Sequence, residues 1–254
     1  IDRGLVGSEM CIRDRLGFKS VHLDGDLKLL GNVFYSDYED MQRTLFGFVG
    51  YRELDGQAIY TLMTKNVPNS TIQGVELEFD WKPYEAGRLF GWVSMLETEN
   101  GGSSSSEATQ DGYLCMERAL VGVDPCNADG TIDLSGKNLT WSPEKSWNLQ
   151  FEHNTYTSNG FRIMNIISAN YTSEMFYNES NYASEPFHSG RDDLYTVNTS
   201  MVFIDEANAW ALEFYVHNAT DELIKTDSYP ANAGFVKAMY APPMAYGVRF
   251  NKDF

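Results

Sequence analysis

Four histidines, one pair of carboxylates and three cysteines are the residues of this 254-residue chain best suited to chemistry. His22, His153, His188 and His217 show no metal-ligand spacing. Glu76 and Glu78 lie two apart on one face of a strand, as an acid and a base would. A solvated wall needs the same pair for a simpler reason and is the preferred reading. Asp124 to Asp133 has the make-up of a calcium loop, but its first ligand position falls on Pro125, so calcium is not expected. The chain has no Gly-x-Ser-x-Gly and no phosphate-cradling glycine loop. No catalytic residue, metal or cofactor is therefore expected. Cys115 and Cys126 stand close together in one long loop. In an oxidising compartment they would staple that loop as a disulfide, with two free thiols as the alternative that thiol labelling separates. Asn-x-Ser/Thr triplets at Asn69, Asn138, Asn170, Asn178, Asn198 and Asn218 are read as chance.

The elements that hold these residues follow from composition. With 19 basic and 36 acidic residues the net charge is −17, which argues against nucleic acid or an anionic membrane surface as partner. Aromatics make up 14%, with 15 Tyr, 15 Phe and 5 Trp. That content, beside abundant Asn, Ser and Thr, points to an all-β chain. No run approaches the length of a membrane-spanning helix. A strand-built barrel remains open, because alternating strands keep mean hydropathy low, and here it is −0.37.

Period-two alternation marks the strands. In the segment from Thr71 to Trp81, Val75, Leu77, Phe79 and Trp81 alternate with Gly74, Glu76, Glu78 and Asp80. Three carboxylates on one face cannot enter a dry core unpaired, so that face must meet water. Trp81 and Tyr84 end the strand as an interfacial belt would. Further strands are read at Leu16 to Leu23, Leu27 to Asp40, Leu89 to Met95, Trp147 to Thr155, Phe161 to Tyr171, Leu194 to Ile204, and Trp210 to His217. The ninth is Ala245 to Phe254, with Tyr246, Val248, Phe250 and Phe254 on one face. Ten residues is about what a tilted strand needs to cross a bilayer.

The connections alternate in length. Those near 24–26, 84–87, 158–160 and 205–208 are tight, whereas 41–70, 99–145, 174–192 and 218–243 are long. A membrane barrel sorts its connections this way, and a soluble sandwich has no reason to. The fold expected is an antiparallel up-and-down transmembrane β-barrel wall of about nine strands, open rather than closed. At the start, Glu9-Met10-Cys11-Ile12-Arg13-Asp14 resembles the translated transposon end used in preparing sequencing libraries. Residues 1–15 are accordingly read as artefact or unstructured, and 16–254 as barrel.

Several stretches also recur in a known order. They are Gly17-Phe18-Lys19-Ser20 with Leu27 to Tyr38, Ile72 to Glu78, Tyr215 to Glu222, and Tyr240-Ala241-Pro242-Pro243 leading into Tyr246 to Phe250 and Phe254. Over residues 16–254 the chain resembles the carboxy-terminal part of a TonB-dependent outer-membrane receptor. The resemblance implies a barrel of about 22 strands whose lumen holds an amino-terminal plug. These nine strands would be its last, with the short turns in the periplasm. Plug and energy-coupling segment would lie outside this stretch, which reads as a fragment of a larger gene.

What the family does becomes the expected function: energised uptake of a scarce nutrient, most often an iron–siderophore complex, across the outer membrane of a Gram-negative cell. The implied partners are outer-membrane lipid and lipopolysaccharide, the TonB–ExbB–ExbD complex acting through the plug, and the barrel assembly machinery. That machinery would read Tyr246, Val248, Phe250 and Phe254. The loop Phe176 to Phe187 would face outside and offer Phe176, Tyr177, Tyr182 and Phe187 to ligand, or else face lipopolysaccharide. The alternative from another class is a secreted soluble β-sandwich binding module, lectin-like or adhesin-like, which would stay monomeric without detergent. An outer-membrane lipase is disfavoured by the missing nucleophile motif.

Overall fold

Nine strands pair in one antiparallel sheet, and each is one of the nine that the alternation predicts. The computed structural model describes residues 10–56, 58–67, 69–101, 134–178, 181, 183, 188–231 and 235–252. In chain order the sheet strands are β1 (Met10–His22), β2 (Leu27–Glu39), β5 (Ser70–Tyr84), β6 (Gly87–Asn100), β7 (Lys145–Tyr156), β8 (Phe161–Thr172), β11 (Leu194–Asp205), β12 (Trp210–His217) and β15 (Ala245–Lys252). They neighbour one another in that order, an up-and-down meander. The sheet does not close, since β1 and β15 end the order and do not pair with each other.

Among the described residues, three of the long connections carry a hairpin of their own. These are β3 (Met41–Tyr51) with β4 (Ala58–Val67), β9 (Met175–Phe176) with β10 (Gly190–Arg191), and β13 (Lys225–Ala231) with β14 (Phe235–Tyr240). Of these strands the sequence signals one, as an extended piece at 58–63 within β4. The first strand also differs from expectation. β1 starts at Met10, six residues ahead of Leu16, and pairs Met10 to Arg15 with Glu39 to Phe34. Main-chain pairing is tolerant of side-chain identity, so it extends into the adapter-like stretch.

The tight turns have local causes. After β1 the chain passes through a short 3₁₀ turn, Leu23–Gly25, with all three residues at positive φ and Gly25 at 105°. A glycine takes that angle without Cβ strain. At the β11–β12 turn, Asp205 accepts hydrogen bonds from the Asn208 backbone N–H (3.1 Å) and side chain (2.7 Å), a side-chain-built turn. On the sheet itself, a Cβ on Gly31 would meet the Phe18 ring of the facing strand at 2.4 Å. The aromatic covers the gap that the glycine leaves.

Register turns alternation into two continuous faces. One row of directly opposed residues runs Leu27, Trp81, Leu89, Phe151, Ile167, Thr199, Val216, Tyr246 across eight strands. The next row on the other face runs Lys28, Asp80, Phe90, Gln150, Ser168, Asn198. Phe34, Phe90 and Trp92, which blur the alternation in sequence, lie on this second, polar face. The Arg88 guanidinium stands 4.5 Å from the Phe90 ring centroid there. The polar face is internally paired: Arg88 forms a two-pronged bridge to Asp80 (2.8 and 3.0 Å), Arg249 reaches Glu213 (2.7 Å), and Asn32 donates to Glu76 (2.9 Å).

No second layer covers the apolar face among the described residues. Val75, Met95, Ile167, Met201 and Phe214 are exposed there, and none of the buried apolar side chains belongs to the sheet. Aromatics gather at both ends of the apolar band. Near the tight turns, Trp210 packs between Phe161 (5.7 Å) and Phe250 (6.1 Å) with tilted rings. Near the long connections, Trp147 lies 6.0 Å from both Tyr171 and Tyr195. From Phe161 to Tyr171 on β8, at about 3.3 Å per residue and a tilt of about 45°, the band spans roughly 23 Å. That is close to the roughly 25 Å apolar belt of an outer-membrane barrel.

Candidate functional site

The long-connection end of the sheet is where side chains become buried. Strand β6 runs past the start of β7 at Lys145, pairing with β5 as far as Asn100, and its end is held by the segment after it. Asn100 N–H donates to Lys137 O (2.8 Å), and Leu139 N–H donates to Thr98 Oγ1 (3.0 Å). Trp141 N–H then donates to Phe176 O (2.9 Å), joining this segment to the β9–β10 hairpin. Leu139, 6% exposed, and Tyr177, 8% exposed, are the buried apolar residues of the described chain. Trp141 packs on the Tyr177 ring at 4.7 Å. Together these loops form a cap with a small core of its own.

Tyr177 ties the cap together. Its N–H donates to Ser189 O across the hairpin (2.7 Å), and its hydroxyl donates to Lys225 O at the start of the β13–β14 hairpin. Burial pushes its phenol pKa above the ordinary value, with the nearby Arg191 guanidinium opposing part of the rise. Arg191 is itself buried, which lowers its pKa, and it donates to Thr172 Oγ1 at the top of β8. Beside it a cavity of about 290 Å³ opens between the two hairpins, lined by His188, Asp192, Glu222, Lys225 and Tyr240. Two larger hollows, of about 490 and 500 Å³, are depressions on the sheet. The second is floored by Met201, Phe214, Val216, Tyr246 and Val248, so it belongs to the apolar face.

The residues singled out from sequence divide accordingly. Phe176 is half-buried and Tyr177 is buried in the cap, its hydroxyl engaged. Tyr182, Phe187, Cys115, Cys126, Phe254 and the calcium-like stretch 124–133 lie outside the described residues. Tyr246, Val248 and Phe250 share the exposed apolar face of β15, and Tyr215 covers Gly247 behind them. Glu76 and Glu78 stand on the polar wall. His153 lies 3.1 Å from the Tyr84 hydroxyl at the tight-turn end, His217 lies with its ring tilted 4.9 Å from Tyr215, and His188 is buried in the cap. Leu139, Trp141 and Arg191 carry the cap and were missed from sequence. An aromatic and an aliphatic isolated in the polar run Gly136 to Ser142 were the available signal.

The family model described as TonB dependent receptor-like, beta-barrel matches residues 15–219. The chain belongs to this TonB-dependent receptor family. The family is one of outer-membrane transport receptors rather than enzymes. Among solved structures, the ferric yersiniabactin uptake receptor FyuA from Yersinia pestis is similar over 97% of this chain and 30% of its own, with TM-score 0.69 and 17% identity. The copper transporter OprC is similar over 99% of this chain and 33% of its own (TM-score 0.64, 10% identity). The siderophore receptor PiuA from Acinetobacter baumannii covers 94% and 28% (TM-score 0.60, 14% identity). At these identities the likeness is one of fold. The chain spans about three-tenths of the length of these relatives. No curated protein matches it by sequence.

Proposed function

We propose that this chain is part of the barrel wall of an outer-membrane receptor that imports a scarce nutrient, with an iron–siderophore complex as its cargo. The observation that carries this reading is the two-faced sheet, apolar and uncovered on one side, polar and ion-paired on the other. Such a sheet is stable where lipid wets the first face and water the second. The sandwich alternative needs a second sheet against the apolar face, and the described residues supply none. The rest of the barrel, the plug and the contact with TonB–ExbB–ExbD would come from sequence outside this chain. Ferric yersiniabactin and other siderophores are cargo of fold relatives, and that supports the ligand class.

Deleting the gene that carries this chain should abolish iron-limited growth on one supplied ferric siderophore, and uptake of radioactive iron in that form should fall to background. Growth and uptake unchanged with every siderophore tried would remove the cargo. A protein that stays monomeric without detergent would remove the wall. The exposed apolar face of β15, Tyr246, Val248 and Phe250, is also proposed as the surface read by the barrel assembly machinery, with Phe254 completing it. Removing Phe254 should lower the amount of protein in the outer membrane, as measured by immunoblot of purified membranes, and an unchanged amount would count against that role.

A further inference from the structure

Glu174, His188 and Asp192 each offer a ligand atom, and these atoms lie within 4.8 Å of one another at the base of the cap. The β9–β10 pairing explains the convergence. Gly190 faces Phe176 and Arg191 faces Met175, so extending the register by one sets Asp192 opposite Glu174. His188, Gly190 and Asp192 then share a face by period two. Gly190 lets the two strands approach closely, since a Cβ there would run into the Met175 carbonyl of the facing strand. Arg191 also borders the adjoining cavity, but its guanidinium is engaged with Thr172 and Tyr177. Asp193 is committed elsewhere, accepting from Tyr171 Oη (2.9 Å) and from the Glu174 N–H (2.8 Å). Among the described residues no lysine or arginine forms an ion pair with Glu174 or Asp192. Two facing carboxylates beside an imidazole, ion-paired to neither Arg191 nor Lys225 of the adjoining cavity, favour a bound cation.

We infer that these three residues form a binding site for a divalent transition-metal ion of the zinc type. One imidazole nitrogen with two carboxylate oxygens is a borderline donor set that suits zinc, cobalt or manganese, and without a thiolate it does not favour copper(I). Bonds of about 2.1 Å bring donors to within about 3–3.5 Å of each other. The two carboxylates are exposed and reach that spacing by rotamer change, while the buried His188 stays in place. Three protein ligands leave coordination positions open, and the 290 Å³ cavity lined by His188 and Asp192 adjoins them. Bound there, the ion would clasp the two ends of the segment between β8 and β11.

The test uses the intact protein extracted in detergent, stripped with chelator and dialysed against zinc chloride, with metal per chain measured by mass spectrometry. The wild type should retain one zinc more than the Glu174→Gln/Asp192→Asn double variant, whose affinity should fall about tenfold or more. Heat-modifiable migration on gels should show the barrel folded in both. Asp192→Asn alone serves if the double variant does not fold. Cobalt loading adds a signature, a visible absorption spectrum that His188→Gln should alter. The site is overturned if the variants hold zinc as the wild type does, if the wild type holds none, if calcium at equal concentration displaces zinc, or if the cobalt spectrum ignores His188.

Discussion

The sheet and the cap are built from the same residue types and solve burial in opposite ways. The sheet turns Val75, Ile167, Met201 and Phe214 outward, and it contains no buried apolar side chain. The cap encloses Leu139 and Tyr177 and holds them with Trp141, Ser189 and Lys225. In a bilayer the solvent itself accepts the apolar face, so the sheet needs main-chain pairing and aromatic ends but no core. A cap that stands in water has no such solvent and must make a small core from its own side chains. The contrast shows that burial within the chain is a poor measure of stability for the sheet and a good one for the cap.

Truncating the cap anchor should give the largest effect and keep it local. Tyr177→Ala removes a buried ring and its hydroxyl bond, and should cost the cap about 3–5 kcal/mol. Faster hydrogen exchange at Trp141 and Ser189, with unchanged exchange in β7 and β8, would express that; equal loosening of the sheet would erase the distinction between the regions. A charge on the apolar face should cost nearly as much but act on the sheet. Ile167→Arg, 49% exposed and midway along β8, should destabilise the membrane-inserted barrel by about 2–4 kcal/mol in urea titrations. Ser168→Arg, one residue on and facing the polar side, should cost far less. Equal penalties at the two positions would mean that both faces meet one environment.

A smaller effect sharpens the cap alone. The Tyr177 phenol has a raised pKa in the folded cap, so the folded state keeps its proton to higher pH than the unfolded chain. Its contribution is therefore complete below the unfolded value of about 10 and is lost as pH rises through the folded value. Titrated by tyrosinate absorbance with proteolysis alongside, the cap should stay closed at neutral pH and open only in strong alkali. Tyr177→Phe should remove that alkaline step and weaken the cap by about 1 kcal/mol at neutral pH, through the unpaired Lys225 carbonyl.

The nine sheet strands were legible because each has two faces in different media, which forces alternation on the sequence; Val75 to Trp81 shows it most cleanly. Tight turns were legible through Asp24-Gly25 and Ser158-Asn159-Gly160. Of the loop hairpins only β4 was legible, as an extended piece at 58–63; β3, β9 and β10, and β13 and β14 escaped because a hairpin within a loop bears no such two-sided demand. Tyr177 reads in sequence as one aromatic in a polar, aromatic loop, and nothing local distinguishes a cap anchor from an exposed ligand contact. The metal-type trio escaped for a related reason: Glu174, His188 and Asp192 have no regular spacing and meet through a two-residue ladder.

Sequence alone determined the alternation, the parity of tight and long connections, and so which side chains share a face, because a strand's period of two is local geometry. Whether the apolar face meets a second sheet or open surroundings is not in the alternation, which both arrangements demand; the sorted connections pointed to the open one, and only the tertiary structure showed that face uncovered among the described residues. Tertiary structure also decided which loop residues are buried and which charges meet. Those outcomes depend on contacts between segments far apart in the chain, and no local pattern encodes them.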